Sequence, residues 1–261
     1  MSKQGKLIVA AVILGVCIGS VAKAADEINS QPPLGVEVKL DYVSKYIWRG
    51  QNLNDRSAFQ PYVSLSKYGF TGSIWATQDW TNVNGHSGNF TQINSTLDYT
   101  NAFPGVDGLN WSVGVIDYDF PHTRTANTVE IYGGLTFTAL PLSPSIKVYR
   151  DVDEIKGAYY QLGIGKTIER AITWNDNYCS DLALGASIAY GNSAYNKGYF
   201  HTVNGGGFND LTLTAALPTP LGKGWVIRPS INYATMLADN VREATNKSDN
   251  FWAGIGLSAN F

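Results

Sequence analysis

Cysteine is nearly absent from this chain, with Cys17 and Cys179 the only two. Cys17 falls inside an N-terminal export signal, so the mature chain keeps Cys179 alone and can form no internal disulfide. An exported protein without disulfides draws its stability from elsewhere, and a closed barrel in lipid is one such source. Histidine is also scarce: His86, His122 and His201 are the whole set, each expected in a separate long loop. A hydrolase would need a histidine held beside a serine or carboxylate nucleophile, and no such pattern is evident, which points away from an enzyme. No spacing of His, Cys and carboxylates suggests a zinc site, and the acidic run Asp151, Asp153, Glu154 lacks the twelve-residue calcium-loop pattern, so no metal and no cofactor is expected. That run reads as a polar hairpin loop. Beyond the N-terminus no stretch approaches ~20 consecutive apolar residues, which excludes a transmembrane helix in the mature chain. Basic charge is lacking too. Removing residues 1–24 takes three lysines and no acids from 19 basic and 21 acidic residues, leaving 16 against 21, a net −5, which argues against nucleic acid as a partner.

The N-terminus itself is informative. Lys3 and Lys6 precede an apolar run from Leu7 to Val16, and Ala22-Lys23-Ala24 fits the small-x-small cleavage pattern of a signal peptide. The segment 1–24 is therefore read as cleaved, with a short lead over 25–34 and a single domain over 25–261. Leu14-Gly15-Val16-Cys17 imitates a lipoprotein signal, but Val16 is too bulky for that cleavage.

After Pro33 the chain alternates with period two almost to its end. Val36, Val38, Leu40 and Tyr42 share one parity and Glu37, Lys39 and Asp41 the other. The rhythm recurs through Ile93–Tyr99, Trp111–Val115, Tyr160–Ile164, Leu211–Leu217 and Trp225–Tyr233. Less regular runs at Phe70–Asp79 and Ser145–Asp151 complete a count of twelve strands, an even number as single-chain bacterial barrels have. Short turn-rich connections, such as Lys67-Tyr68-Gly69, alternate with long polar ones, such as Asp79–Asn89. Asp151–Gly157 is short for an external loop, and Ile168–Asp181 is long for a turn. The fold expected is an all-β, antiparallel, up-and-down transmembrane barrel with both termini periplasmic.

Seven Trp and 15 Tyr suit the aromatic belts of a membrane barrel. The last strand alternates from Phe251 to a terminal Phe261, which resembles the signal read by the barrel-assembly machinery, and that machinery and the outer-membrane bilayer are the partners expected. Glu37, Lys39, Asp41, Lys45, Arg49, Asp98, Glu130, Lys147, Asp151 and Arg228 take the inward parity. These five positive and five negative groups are candidate pore-lining residues: too costly to face hydrocarbon, natural around water. They read as ion pairs that brace the barrel, as a path for polar solutes, or as both. Tyr62, Trp75, Tyr132, Tyr149 and Trp252 share the inward parity and would narrow it.

Four segments carry a family resemblance: Ser44-Lys45-Tyr46-Ile47-Trp48-Arg49-Gly50, Gln60-Pro61, Asp117-Tyr118-Asp119-Phe120-Pro121 and Val148–Glu154. In that order, and over the whole mature chain, the sequence resembles the TorF-type porins of bacterial outer membranes. The resemblance implies an outer-membrane barrel and a channel; it transfers no solute and no functional residues. From the residues alone, Tyr46 and Trp48 look like anchors at the external interface, with Arg49 turning into the lumen mouth. The function expected is a narrow, weakly charge-selective porin for small polar solutes in the Gram-negative outer membrane. The alternatives are a plugged structural or adhesive barrel and an outer-membrane enzyme. Loop charges, nine acids against seven bases, suggest a mild cation preference at the mouth.

Overall fold

The computed structural model describes residues 33–175, 178–200 and 205–261, so the export signal and His201 lie outside the described residues. The strands are β1 Gly35–Val43, β2 Tyr46–Trp48, β3 Gln51–Asn54, β4 Ala58–Lys67, β5 Phe70–Asp79, β6 Phe90–Ala102, β7 Leu109–Asp119, β8 Thr128–Phe137, β9 Ser145–Asp151, β10 Ala158–Thr173, β11 Cys179–Gly191, β12 Gly207–Ala216, β13 Thr219–Gly222, β14 Trp225–Met236 and β15 Asp249–Asn260. Twelve of them close into one antiparallel barrel: β1, β4 to β12, β14 and β15, each paired with its chain neighbours. Closure comes from β15 against β1, in register from Glu37 opposite Asn260 to Val43 opposite Gly254. Every barrel strand is thus paired on both edges, the condition for crossing a bilayer without unsatisfied backbone. The expected strand count holds, including the two irregular runs.

Period-two patterning explains the faces. Leu40, Val63, Ile74, Val113, Leu162 and Ile231 all point outward and are 40–53% exposed. A band of apolar side chains around a closed barrel is the lipid-facing surface of a membrane protein, not the surface of a water-soluble one. The opposite parity turns inward.

The two ends differ. The start of β1, the end of β15 and the short connections share one end, and there Tyr68 and Gly69 both take positive φ, as do Lys223 and Gly224. Two consecutive left-handed residues make the two-residue turn whose twist matches a tight hairpin. The segment Ile168–Asp181 is no long turn: β10 runs on to Thr173 and β11 starts at Cys179, so strand pairing consumes most of it. The long connections meet at the other end. They carry a 3₁₀ turn at Asn82–Asn84 and helices at Ser193–Phe200 and Asp239–Ala244. None of the described helices is long and apolar enough to cross a membrane.

Candidate functional site

The connection between β1 and β4 does not lie over the rim. Residues Tyr46–Asn54 form a separate hairpin, β2 paired with β3, with Arg49 and Gly50 in left-handed conformation at its turn. Its contacts reach strands from most of the way round the barrel, which is possible only from inside the lumen. Arg49 meets Glu130 on β8 in a two-pronged pair, 2.8 Å from Nη1 to Oε1 and 2.7 Å from Nη2 to Oε2. Its guanidinium lies 4.6, 4.5, 4.4 and 5.7 Å from the ring centres of Trp48, Tyr149, Tyr159 and Tyr195. Tyr118 on β7 donates to Glu130 Oε2 at 2.9 Å. On the far side, a Cβ at Gly50 would fall 2.6 Å from Asp210 Cβ and from Met236 Sδ, so the turn touches β12 and β14 with no room for a side chain.

Planar guanidinium against planar carboxylate, closed in by π faces, is strong local chemistry because little water remains to compete. Where the long connections meet the strand ends, Tyr159 and Met236 pack with Tyr195, Phe200 and Val241 of the loop helices as an apolar cluster. Tyr159 donates to Asp210 at 2.7 Å, so that buried carboxylate has its partner.

The remaining candidate pore residues fall on the inward face, most of them engaged. Lys39 pairs with Glu37 at 3.0 Å and Arg228 with Asp41 at 3.1 Å. Lys45 pairs at 3.2 Å with Asp55, which also holds Lys247. Hydrogen bonds from Lys247 and Asn52 keep the Asp55 carboxyl below the usual carboxylate range. Tyr132 donates to Asp98 while Lys147 sits 5.2 Å over the same ring. Asp151 is buried: it accepts from Thr128 at 2.6 Å and from the backbone N–H groups of Asp153, Ile155 and Lys156. The acidic run 151–154 is therefore the polar hairpin loop expected, and its first carboxylate is spent on shaping the loop.

One expectation is overturned. Tyr46 and Trp48 are not interface anchors. Tyr46 is buried and donates to Gln92 on β6 at 2.9 Å, and the Trp48 ring lies 5.2 Å from that of Tyr199. Both sit inside the lumen because the hairpin folds inward, drawn by the Arg49–Glu130 pair. The sequence reading also missed Tyr118, Tyr159, Tyr195 and Gln92. A signal for part of this did exist: Arg49, Tyr118, Tyr149 and Asp151 come from three of the four segments that carry the family resemblance, and those segments meet around the hairpin.

Beside the hairpin a cavity of about 1000 Å³ opens toward the long connections. Trp48, Phe120 and Tyr199 line it with Gln51, Gln92, Thr128, Arg124 and Lys197. Arg124 and Lys197 make no ion pair among the described residues. His86 also lines this cavity, while a ring nitrogen of His122 lies 3.1 Å from the Phe90 carbonyl oxygen, outside it.

In overall fold the chain is similar to the KdgM porin, with a TM-score of 0.50 at 11% identity, covering 87% of this chain and 99% of that one. It has the fold of a porin barrel. A COG4313 outer membrane channel from Pseudomonas putida F1 (TM-score 0.48, 8% identity, 88% and 96% covered) and LpxR from Salmonella typhimurium (0.44, 9%, 86% and 99%) also match. No protein-family model and no curated protein matches the sequence.

Proposed function

We propose that this protein is an outer-membrane channel for passive diffusion of small polar solutes, of the TorF type, inserted after signal-peptide cleavage. The observation that carries the reading is a closed barrel with an apolar outer band, a polar, ion-paired interior and a large cavity at one end. Hydrocarbon outside and water inside is the arrangement a diffusion channel needs. The termini and short turns face the periplasm, the long connections face outward, and the barrel-assembly machinery reads the strand that ends at Phe261. Among the ten inward charges, Glu37, Lys39, Asp41, Lys45 and Arg228 line the route, and their ion pairs make charge discrimination weak; Glu130 and Asp151 are buried beside it. We read the protein as non-enzymatic; His86 and His122 lie in different loops, and among the described residues neither hydrogen-bonds a carboxylate or hydroxyl side chain as a triad histidine would.

Swelling of liposomes carrying the purified protein tests this. Swelling in a small uncharged sugar at rates above protein-free liposomes supports the channel. The second reading, a plugged structural barrel, rests on the hairpin in the lumen and the apolar cluster at its loop end. Absence of swelling from a folded, heat-modifiable barrel would favour it.

A further inference from the structure

Two cavities lie back to back across the hairpin. The outer one, already described, opens to the long connections. The second, about 250 Å³, lies on the shaft side and is lined by Lys45, Gln60, Trp75, Asn94 and Trp252. Tyr46 and Trp48 line both. Gln92 borders the outer cavity and Asn94 the inner one, two positions apart on the same face of β6. A short relay closes the wall between them: the Tyr46 hydroxyl donates to Gln92 Oε1 at 2.9 Å, and Gln92 Nε2 donates to Asn94 Oδ1 at 2.9 Å. The Trp75 ring backs Tyr46 at 5.6 Å between centres. At this place the barrier between outer vestibule and shaft is a single side chain thick.

The other contacts around the hairpin are firmer. Opening the lumen at Arg49 means parting a buried ion pair and leaving both charges among rings. Opening it at Met236 or Val241 means dispersing an apolar cluster. Turning Tyr46 aside costs one neutral hydrogen bond and a ring contact, while the hairpin stays pinned at its turn by Arg49 and Glu130.

Building on the channel reading above, we propose that Tyr46 is the residue that sets what passes, its ring closing the wall between the two cavities at rest and rotating off Gln92 to admit solute. The opened constriction is lined by a phenol, three primary amides (Gln60, Gln92 and Asn94) and indole rings. At the Tyr46 constriction itself the charged neighbour is Lys45, paired at 3.2 Å with Asp55; Asp79, Arg124, Glu154 and Lys197 stand further out, around the outer cavity. Such a lining hydrogen-bonds without selecting charge, and it stacks on flat apolar faces. The solutes it suits are uncharged polyhydroxylated molecules about the size of one sugar ring, which matches the small inner cavity.

The test is swelling of proteoliposomes in a series of uncharged mono-, di- and trisaccharides, for the wild type, Tyr46→Ala and Tyr46→Phe, each first shown to be a heat-modifiable barrel. Tyr46→Ala should admit the disaccharide several-fold faster and shift the size limit upward. Tyr46→Phe, which keeps the ring and loses the hydroxyl, should speed the monosaccharide and leave the size limit unchanged. A wild type that is closed to all sugars beside an open Tyr46→Ala overturns the channel reading and the proposal with it, because the native barrel is then plugged. A wild type that passes sugar with a size profile identical to that of Tyr46→Ala overturns the assignment of Tyr46 and leaves the channel reading standing. Folded barrels of all three that pass no sugar overturn both.

Discussion

A guanidinium surrounded by four rings and one carboxylate has few low-energy alternatives, because each partner would otherwise be left buried and unpaired. Truncating one member, Arg49→Ala or Glu130→Ala, should cost about 3–5 kcal/mol of the hairpin's seating. Proteolytic clipping between Tyr46 and Asn54 should then rise well before the barrel itself melts. Replacing both with methionine removes the stranded charge and should restore most of the resistance; a double variant as labile as either single one would contradict the pairing. Asp55 ties the same loop region to Lys45 and Lys247, and its folded carboxyl lies below the unfolded range. A depressed carboxylate stabilises above the unfolded pKa of about 3.9 and loses that contribution as pH falls through the folded value. Clipping of the connection around Asp55 should therefore stay low from neutral pH to about pH 4 and increase only in stronger acid; an increase near pH 6 would point to another group.

The elements themselves were legible unequally. Twelve strands could be read from the chain because one face of each meets hydrocarbon, so period two is enforced at every pair of residues. Arginine at Leu97, Val113 or Leu213 should cost about 2–4 kcal/mol near the midplane. Arginine at Thr96, Ser112 or Thr212, on the inward face, should cost much less in urea unfolding from lipid vesicles, and equal penalties would refute the register. Closure was readable too: Phe261 and Val36 exchange backbone hydrogen bonds at 2.9 and 3.1 Å, and the terminal ring stands edge-on to Trp225. Deleting Phe261 should lower outer-membrane levels and leave protease-sensitive periplasmic material; normal levels would show the aromatic end to be dispensable. The hairpin was not readable. Strands of three and four residues carry no period, and Tyr46-Ile47-Trp48 looks locally like any interfacial cluster. Its place is decided by Glu130, 81 residues away, and by Tyr159 and Tyr195, further still. Those contacts have no trace in local patterning.

For the whole molecule, summing loop charges gives the wrong picture of the mouth. Asp210 is buried, Asp55 is held between two lysines and Asp249 meets Arg242, whereas the open cavity is lined by two acids, Asp79 and Glu154, and two bases, Arg124 and Lys197. On this count the lining of the mouth carries no net charge, and weak selectivity is the expected outcome. In a salt gradient the reversal potential of the wild type should lie close to zero. Arg124→Glu with Lys197→Glu should move it toward cations, and the move should shrink as salt screens the cavity over ~10 Å at 0.1 M. A strong preference in the wild type would mean that the inward charges are not paired as described. The most direct measurement is the simplest: planar-bilayer recording from the purified, heat-modifiable wild-type barrel. A water-filled route narrowed by the hairpin gives small, discrete conductance steps, brief if Tyr46 closes it at rest. Complete silence from barrels shown to be folded and inserted would contradict the channel and leave a plugged structural barrel.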